Sequence, residues 1–434
     1  MSAFGVVLAT VVLVILIVIG FPIAFSFAAA TLVIAALAGR DLALILPQAF
    51  WQTGGFALLA LPLFIIAGSV MRYAQISDRL IAVVERMTGH AKGSLGAVTI
   101  LSCMLFGAIS GSGAAAIAAI GSVMIPKMRE AGYEHGYATA LVACSSVLAL
   151  LIPPSIPMIV FALTAGISVS AAFLSTVGPG VVIGVLYMAL NRQVAGRISA
   201  DPEPALVNGR QLSLARILWR GGPALFMPVL MLGGIYSGAF TPTEAAAVAL
   251  VYAILVGLFV YRTLSLRALG QCFIESGAVC ASIIAILFFL LLFAQLLSME
   301  AIPRSIATFL TSLTDNYYLL LLLINLALLV IGMLIDDISG SILAAVILMP
   351  VATDIGVDPI HFAAIVGTNL GMGNVTPPCA PLLFVASSIG EIELRQFLRP
   401  ALRFILLGHL PVILLVTYVP QLGLALPDLI MGQR

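Results

Sequence analysis

The chain has 434 residues, of which 62% are hydrophobic and 9% charged, and its formal net charge is +1. Soluble domains run at about 45–50% apolar and 25% charged, so this composition cannot cover a water-exposed surface, and the protein must face lipid. No nucleic-acid partner is expected, and no His/Cys/Glu spacing of the kind a metal enzyme uses is present in the sequence.

Apolar runs at about 3–20, 22–39, 57–71, 173–190, 223–236, 245–261, 277–299 and 401–420 approach the roughly 20 residues that one helical crossing needs. The short alternating segments of a membrane β-barrel do not occur. The first run has no Lys or Arg before it and reads as a retained span rather than a cleaved signal. Cys103, Cys144, Cys272, Cys280 and Cys379 lie in apolar sequence without metal-ligand spacing and read as small packing residues.

Pro153-Pro154-Ser155-Ile156-Pro157 returns 224 positions later as Pro377-Pro378-Cys379-Ala380-Pro381, and the same shift carries Pro126, Ala162 and Gly166 onto Pro350, Ala386 and Gly390. Proline donates no N–H and its ring clashes with the carbonyl four residues back, so a proline cluster kept twice in apolar sequence marks broken helices. Broken helices in matching positions of two halves point to a transport site. The chain therefore divides into a first repeat, 1–190, with a hairpin at about 94–127 and a broken helix at about 134–166. A polar linker follows at 191–222. The second repeat, 223–434, has its hairpin at about 317–350 and its broken helix at about 358–390. The fold class is an all-α membrane protein of two inverted-topology repeats with re-entrant helical hairpins and broken helices.

Charge supports the inversion. With the N-terminus outside and both hairpins returning to their own side, Arg72, Arg79, Arg86, Lys92, Lys127, Arg129, five linker arginines, Arg262, Arg267, Arg395, Arg399 and Arg403 fall inside. Only Arg40, Arg304 and Arg434 fall outside, and treating the hairpins as full spans would scatter this bias. The linker is then cytoplasmic.

Each hairpin needs a non-helical tip that lines a cavity. In the first, Gly107-Ala108-Ile109-Ser110-Gly111-Ser112-Gly113 supplies small residues and hydroxyls, which could equally serve close helix packing. In the second, Asp336-Asp337-Ile338-Ser339-Gly340-Ser341 places two acids between apolar arms, and intramembrane acids are functional by default. At the breaks, the prolines leave the carbonyls of Ala149 and Leu150, and of Gly373 and Asn374, without their helical donors. Such carbonyls suit a hard cation, while the half-helix beginning near Pro157 or Pro381 presents an N-terminus that attracts an anion. Ser145, Ser146 and Ser155 add hydroxyls in the first half, and Asn369, Asn374 and Thr376 add polar groups in the second. For each of these alone, capping or packing is as good an explanation as ligation.

No Lys or Arg falls in an expected core segment, so an anion at mid-membrane would be balanced by helix N-termini and by cations entering with it, which makes sodium coupling a natural inference. His90, His135 and His361 fall at expected interfaces, His409 sits in a terminal span where packing is expected, and Glu244 should cap the helix it opens.

The strings GAISGSGAAAIAAIGSVMIPKMREAGY (107–133), IPPSIPMIVFA (152–162), GGIYSGAFTPTEAAAVA (233–249), GMLIDDISGSILAAVILMP (332–350) and GMGNVTPPCAPLLFVASSIG (371–390) resemble the large, M-type membrane subunit of tripartite ATP-independent periplasmic (TRAP) transporters. The resemblance covers nearly the whole chain. It implies an elevator-type, sodium-driven importer of small organic acid anions in the bacterial inner membrane. It also implies two partners, a small four-helix Q-type membrane subunit and a periplasmic substrate-binding protein. Without an extra four-helix N-terminal region, the chain resembles the form in which the two membrane subunits are separate. Gly113 and Asp337 stand where the family more often carries hydroxyl or small residues. Carried over by motif, the resemblance implies one sodium site at Ser110, Gly111, Ser112, Pro153, Pro154 and Ser155. It implies a second at Asp336, Ser339, Asn374, Thr376 and Pro377, with the substrate between them at Ser112, Gly113, Ser155, Asp337 and Asn369. No organic cofactor is expected. A stand-alone sodium/dicarboxylate symporter of similar fold, needing no binding protein, is the alternative; an ion channel would require a continuous polar pore in place of two paired breaks.

Overall fold

A computed structural model describes residues 3–88, 93–195 and 214–432, and every regular element among them is helical. The centre of the expected linker, 196–213, lies outside the described residues, as do His90 and Lys92. Eight helices among the described residues are long and apolar enough to cross a membrane, or nine if the sharply bent pair Ile23–Ala38 and Leu42–Thr53 counts as one span. The longest, Leu266–Met299, has 34 residues. At 1.5 Å per residue it is about 50 Å long, more than the roughly 30 Å hydrocarbon core requires. It packs along Ile23–Ala38 and Ala60–Tyr73, and Pro242–Leu255 packs on the latter. Together these helices form a scaffold. Glu244 behaves as its position suggests: Thr241 and Glu244 form a reciprocal capping box that satisfies the first N–H groups of Pro242–Leu255.

The 224-residue shift is visible in the backbone. Adding 224 to the bounds of the helix Ser94–Ser110 gives 318 and 334, and the helix found there is Tyr317–Leu334. The helix His135–Ser146 maps onto 359–370, inside Pro359–Gly373, and Ile156–Ala165 maps onto 380–389, one residue from Pro381–Gly390. The peptide bonds Pro153-Pro154 and Pro377-Pro378 are both cis. One equivalence shifts: Gly166, at φ 70°, ends the first half-helix, whereas Gly390 stays helical and Glu391, at φ 50°, takes the left-handed position.

The hairpin arms and broken helices cross closely, and each half admits the crossing with glycine. A Cβ on Gly107 would overlap the backbone of Ala149; in the second half a Cβ on Gly373 would overlap Gly332. Beyond each break, the half-helix packs against the opposite hairpin. Ile156–Ala165 lies on Asp337–Leu343, and Pro381–Gly390 lies on the returning arm of the first hairpin. This interlocking brings the two tips into one region.

Two histidines are structural. His409, in the terminal span, is fully buried between the Thr368 carbonyl, 2.9 Å from Nε2, and the Tyr187 hydroxyl, 3.4 Å from Nδ1. His361 departs from the expected interfacial position: it is buried within the protein, with Nε2 2.7 Å from the Val416 carbonyl.

Candidate functional site

The first tip is built around Gly111. Its N–H donates to the Gly107 carbonyl at 2.9 Å, closing the helix Ser94–Ser110, and its φ of 60° suits a residue without a Cβ. A Cβ there would also overlap the Pro154 carbonyl, so the tip and the first break touch backbone to backbone. The Ile156 N–H donates to the Gly111 carbonyl at 3.4 Å, which ties the start of the half-helix to the tip. Ser112 is extended and caps the returning arm, its Oγ accepting the Ala115 N–H at 3.4 Å. Ser110 lies against Gly68 of the scaffold, where an added Cβ would come within 3.3 Å of it. Gly113 faces the Leu382 side chain and the Ser146 carbonyl instead. Ser155 is extended and fully buried, and its Oγ, like that of Ser145, has no hydrogen-bond partner among the described residues. Burying an unpaired hydroxyl is costly, so these two positions are where a polar ligand would be worth most.

The second tip is arranged differently. Asp336 caps the helix Asp337–Leu343: Oδ2 accepts the N–H groups of Ile338 and Ser339, and Oδ1 accepts the Ser339 hydroxyl at 2.5 Å. The carbonyls expected to be free at the second break are not. Gly373 accepts the Thr376 N–H at 3.0 Å and Asn374 accepts the Leu382 N–H at 3.1 Å, because the chain at Pro377-Pro378 turns back on itself. Each keeps one lone-pair direction open. The Thr376 hydroxyl donates to the Met372 carbonyl at 2.7 Å. In the first half, the Leu151 carbonyl accepts the Thr176 hydroxyl at 2.7 Å.

Between the two tips and the scaffold lies a cavity of about 360 Å³. Its wall takes Ser110, Gly111 and Ser112 from the first tip, Asp337 and Ile338 from the second, Ile156 from the first break, and Ser69, Arg72, Glu275 and Ser276 from the scaffold. That volume is at the lower end of small-molecule pockets. Of the positions carried over for a substrate, the cavity joins Ser112 and Asp337. Asn369 lies elsewhere: its amide donates to Asn325 Oδ1 at 2.5 Å and to the Ile365 carbonyl at 3.2 Å, and Thr417 donates to the same Asn325 oxygen. It is a member of a buried structural network.

Arg72 and Glu275 escaped the reading of the sequence. Arg72 Nη2 is 3.0 Å from Glu275 Oε2, and the Tyr73 hydroxyl donates to Glu275 Oε1 at 2.6 Å. The helix Ala60–Tyr73 carries Gly68, Ser69 and Arg72 along the cavity, with Arg72 in its last turn just past the apolar run at 57–71. A signal existed for its partner. Glu275 is the only acid in Leu266–Met299, although the apolar run at 277–299 begins just past it.

A second cavity of about 450 Å³ lies further along the helices Ile156–Ala165 and Leu266–Met299, lined by Gln48, Gln52, Val160, Leu287, Gln295 and Ser298 among others. Ile156 and Ile283 close the first cavity where Val160 and Leu287 open the second. Four residues, or about 6 Å of helix, separate them.

Paired broken helices, two tips meeting in one cavity, and cavities in series along a lipid-facing helical scaffold define a multi-pass membrane transporter. The chain belongs to the family described as tripartite ATP-independent periplasmic transporter, DctM component, whose model matches residues 10–422. It is 38% identical to the C4-dicarboxylate TRAP transporter large permease protein DctM of Pseudomonas aeruginosa, over 86% of this chain and 86% of that one. It is 33% identical to the sialic acid TRAP transporter large permease protein SiaM of Vibrio cholerae, over 95% and 96%. It is 36% identical to the isethionate TRAP transporter permease protein DctMQ of Oleidesulfovibrio alaskensis, over 93% of this chain; the chain spans 64% of that relative's length. These relatives are transporter permeases, not enzymes. The crystal structure of the Alcanivorax borkumensis YdaH transporter shares the fold, with a TM-score of 0.63 over 89% of this chain and 90% of that one at 16% identity.

Proposed function

We propose that this chain is the large membrane subunit of a sodium-driven importer of small organic acid anions, working by an elevator movement in the inner membrane of a bacterium. A periplasmic binding protein delivers the anion, and a small four-helix membrane subunit completes the scaffold. The division into inverted repeats 1–190 and 223–434, joined by a cytoplasmic linker at 191–222, is part of the same reading. So is the choice of anion class, which rests on relatives named for C4-dicarboxylates and sialic acid.

The observation that carries the reading is the cavity shared by the first tip and Asp337; Ser155, next to the lining residue Ile156, has a hydroxyl with no hydrogen-bond partner among the described residues. One sodium ion is held by Ser110, Gly111, Ser112 and the turn Pro153-Pro154-Ser155; the other by Asp336, Ser339, Asn374, Thr376 and Pro377. The anion enters with them, since the cavity wall already bears two carboxylates, Asp337 and Glu275, against one guanidinium, Arg72. An incoming anion needs co-entering cations to offset that field. Sliding the tips along the scaffold would carry the site from the glutamine-lined end toward the Arg72 end, which the charge bias places inside. The test is uptake by vesicles holding both membrane subunits, with the binding protein outside. An inward sodium gradient should be required, and uptake should rise more steeply than linearly with sodium. Undiminished uptake in sodium-free buffer with a proton gradient alone would overturn the coupling.

A further inference from the structure

We propose that Arg72, together with Ser276, binds a carboxylate of the transported anion, and that Glu275 and Tyr73 hold the guanidinium in wait for it. This assigns a specificity-determining pair to the scaffold and rests on the organic-anion reading above. The geometry has three parts. Arg72 and Glu275 both line the cavity that contains Ser112 and Asp337, and their side chains are 49% and 52% exposed, so the pair faces the cavity rather than being sealed away. Among the described residues, Arg72 is the only basic side chain on that wall. Ser276, also on the wall, is 2% exposed, and its Oγ has no hydrogen-bond partner among the described residues.

Guanidinium and carboxylate match as two parallel N–H···O bonds, a geometry that lysine cannot reproduce. Glu275 now occupies Arg72 through one oxygen while its other oxygen accepts the Tyr73 hydroxyl. That second bond gives Glu275 a partner when a substrate carboxylate displaces it, so the exchange leaves no acid unpaired. Ser276 supplies a hydroxyl donor beside the same fork. The scaffold therefore reads the anion's charge while the tips read sodium.

The experiment compares uptake of radiolabelled succinate and of sialic acid by vesicles carrying the wild type, Arg72→Ala, Arg72→Lys, Ser276→Ala or Glu275→Gln. Loss of a charge-assisted contact should raise KM about ten- to a hundredfold in Arg72→Ala, with Arg72→Lys recovering only part of it. Ser276→Ala should raise KM about two- to tenfold. Glu275→Gln releases the guanidinium and should lower KM about two- to fivefold, opposite in sign to Arg72→Ala. In all four, the sodium concentration for half-maximal uptake at saturating anion should stay at the wild-type value. If Arg72→Ala and Glu275→Gln move KM in the same direction and lower thermal stability together, the pair is only a structural tie and the proposal is wrong. Unchanged KM in Arg72→Ala also overturns it, while wild-type uptake continues to support the organic-anion reading. Absence of sodium-driven uptake of both probes in the wild type would instead count against that reading itself.

Discussion

The two tips share a backbone plan but differ in how they satisfy their polar groups. At the first, Gly111 presses on the Pro154 carbonyl, Ser112 makes one long capping bond of 3.4 Å, and Ser145 and Ser155 keep hydroxyls with no hydrogen-bond partner among the described residues. At the second, Asp336 makes three bonds to its own helix, Thr376 bonds Met372, and the Gly373 and Asn374 carbonyls accept N–H groups from the turn beyond. The second tip engages Asp336 and its break carbonyls within the chain; the first has hydroxyls left over for a ligand. A repeat thus conserves the path of the chain while the side chains decide which copy is closed and which is poised.

The largest effect on this comparison should come from the crossings that both halves require. Gly373→Leu forces a side chain into the Gly332 backbone, and Gly107→Leu does the same to Ala149. Overpacking of this kind costs about 3 kcal/mol, so both variants should unfold at markedly lower temperature in detergent. Equal stability in either would mean that the crossing can open without penalty.

Next come the hydroxyls of the first tip. Ser112→Ala and Ser155→Ala should leave thermal stability nearly intact and raise the sodium concentration for half-maximal uptake about ten- to a hundredfold, or roughly 1.5–3 kcal/mol. Ser155→Ala is the cleaner arm, because it removes a buried hydroxyl that bonds nothing among the described residues and should stabilise the sodium-free protein slightly. Wild-type sodium dependence in both would return these serines to packing.

Asn325→Leu provides the converse. It removes the acceptor that Asn369 and Thr417 share, while Asn369 keeps its bond to the Ile365 carbonyl and Thr417 its bond to the Ile413 carbonyl, at a cost of about 1–2 kcal/mol in stability. Sodium dependence should not move, since this network lies apart from the cavity. A shifted sodium curve at normal stability would bring Asn369 back into the site.

The smallest effect is expected at Thr376→Val. Its hydroxyl already donates to Met372, so the variant loses one neutral bond of about 0.5–1.5 kcal/mol and any contact its lone pair makes with an ion. A rise of about two- to tenfold in the sodium requirement, smaller than at Ser112, would fit a second site held mainly by Asp336 and backbone oxygens. An effect larger than that of Ser112→Ala would reverse the ranking of the two tips.

Sequence alone determined the lipid-facing class, the broken helices and the 224-residue repeat. Each follows from local chemistry: apolar excess cannot be solvated, and proline cannot continue a helix wherever it stands. The tip at Gly111 was legible for the same reason, as small residues and hydroxyls between two apolar arms. Which polar groups would meet was decided only by tertiary structure. Asn369 looked like a ligand until Asn325, 44 positions away, was found to hold it. The freed carbonyls of Gly373 and Asn374 found donors in a turn whose path no spacing reveals. Arg72 read as an interfacial charge because hydropathy sees a residue's neighbours along the chain, whereas its place in the cavity depends on Glu275, brought to it from 203 positions away. Hydrogen bonds and ion pairs act over about 3 Å, a distance that the sequence expresses only between near neighbours and that folding creates between remote ones.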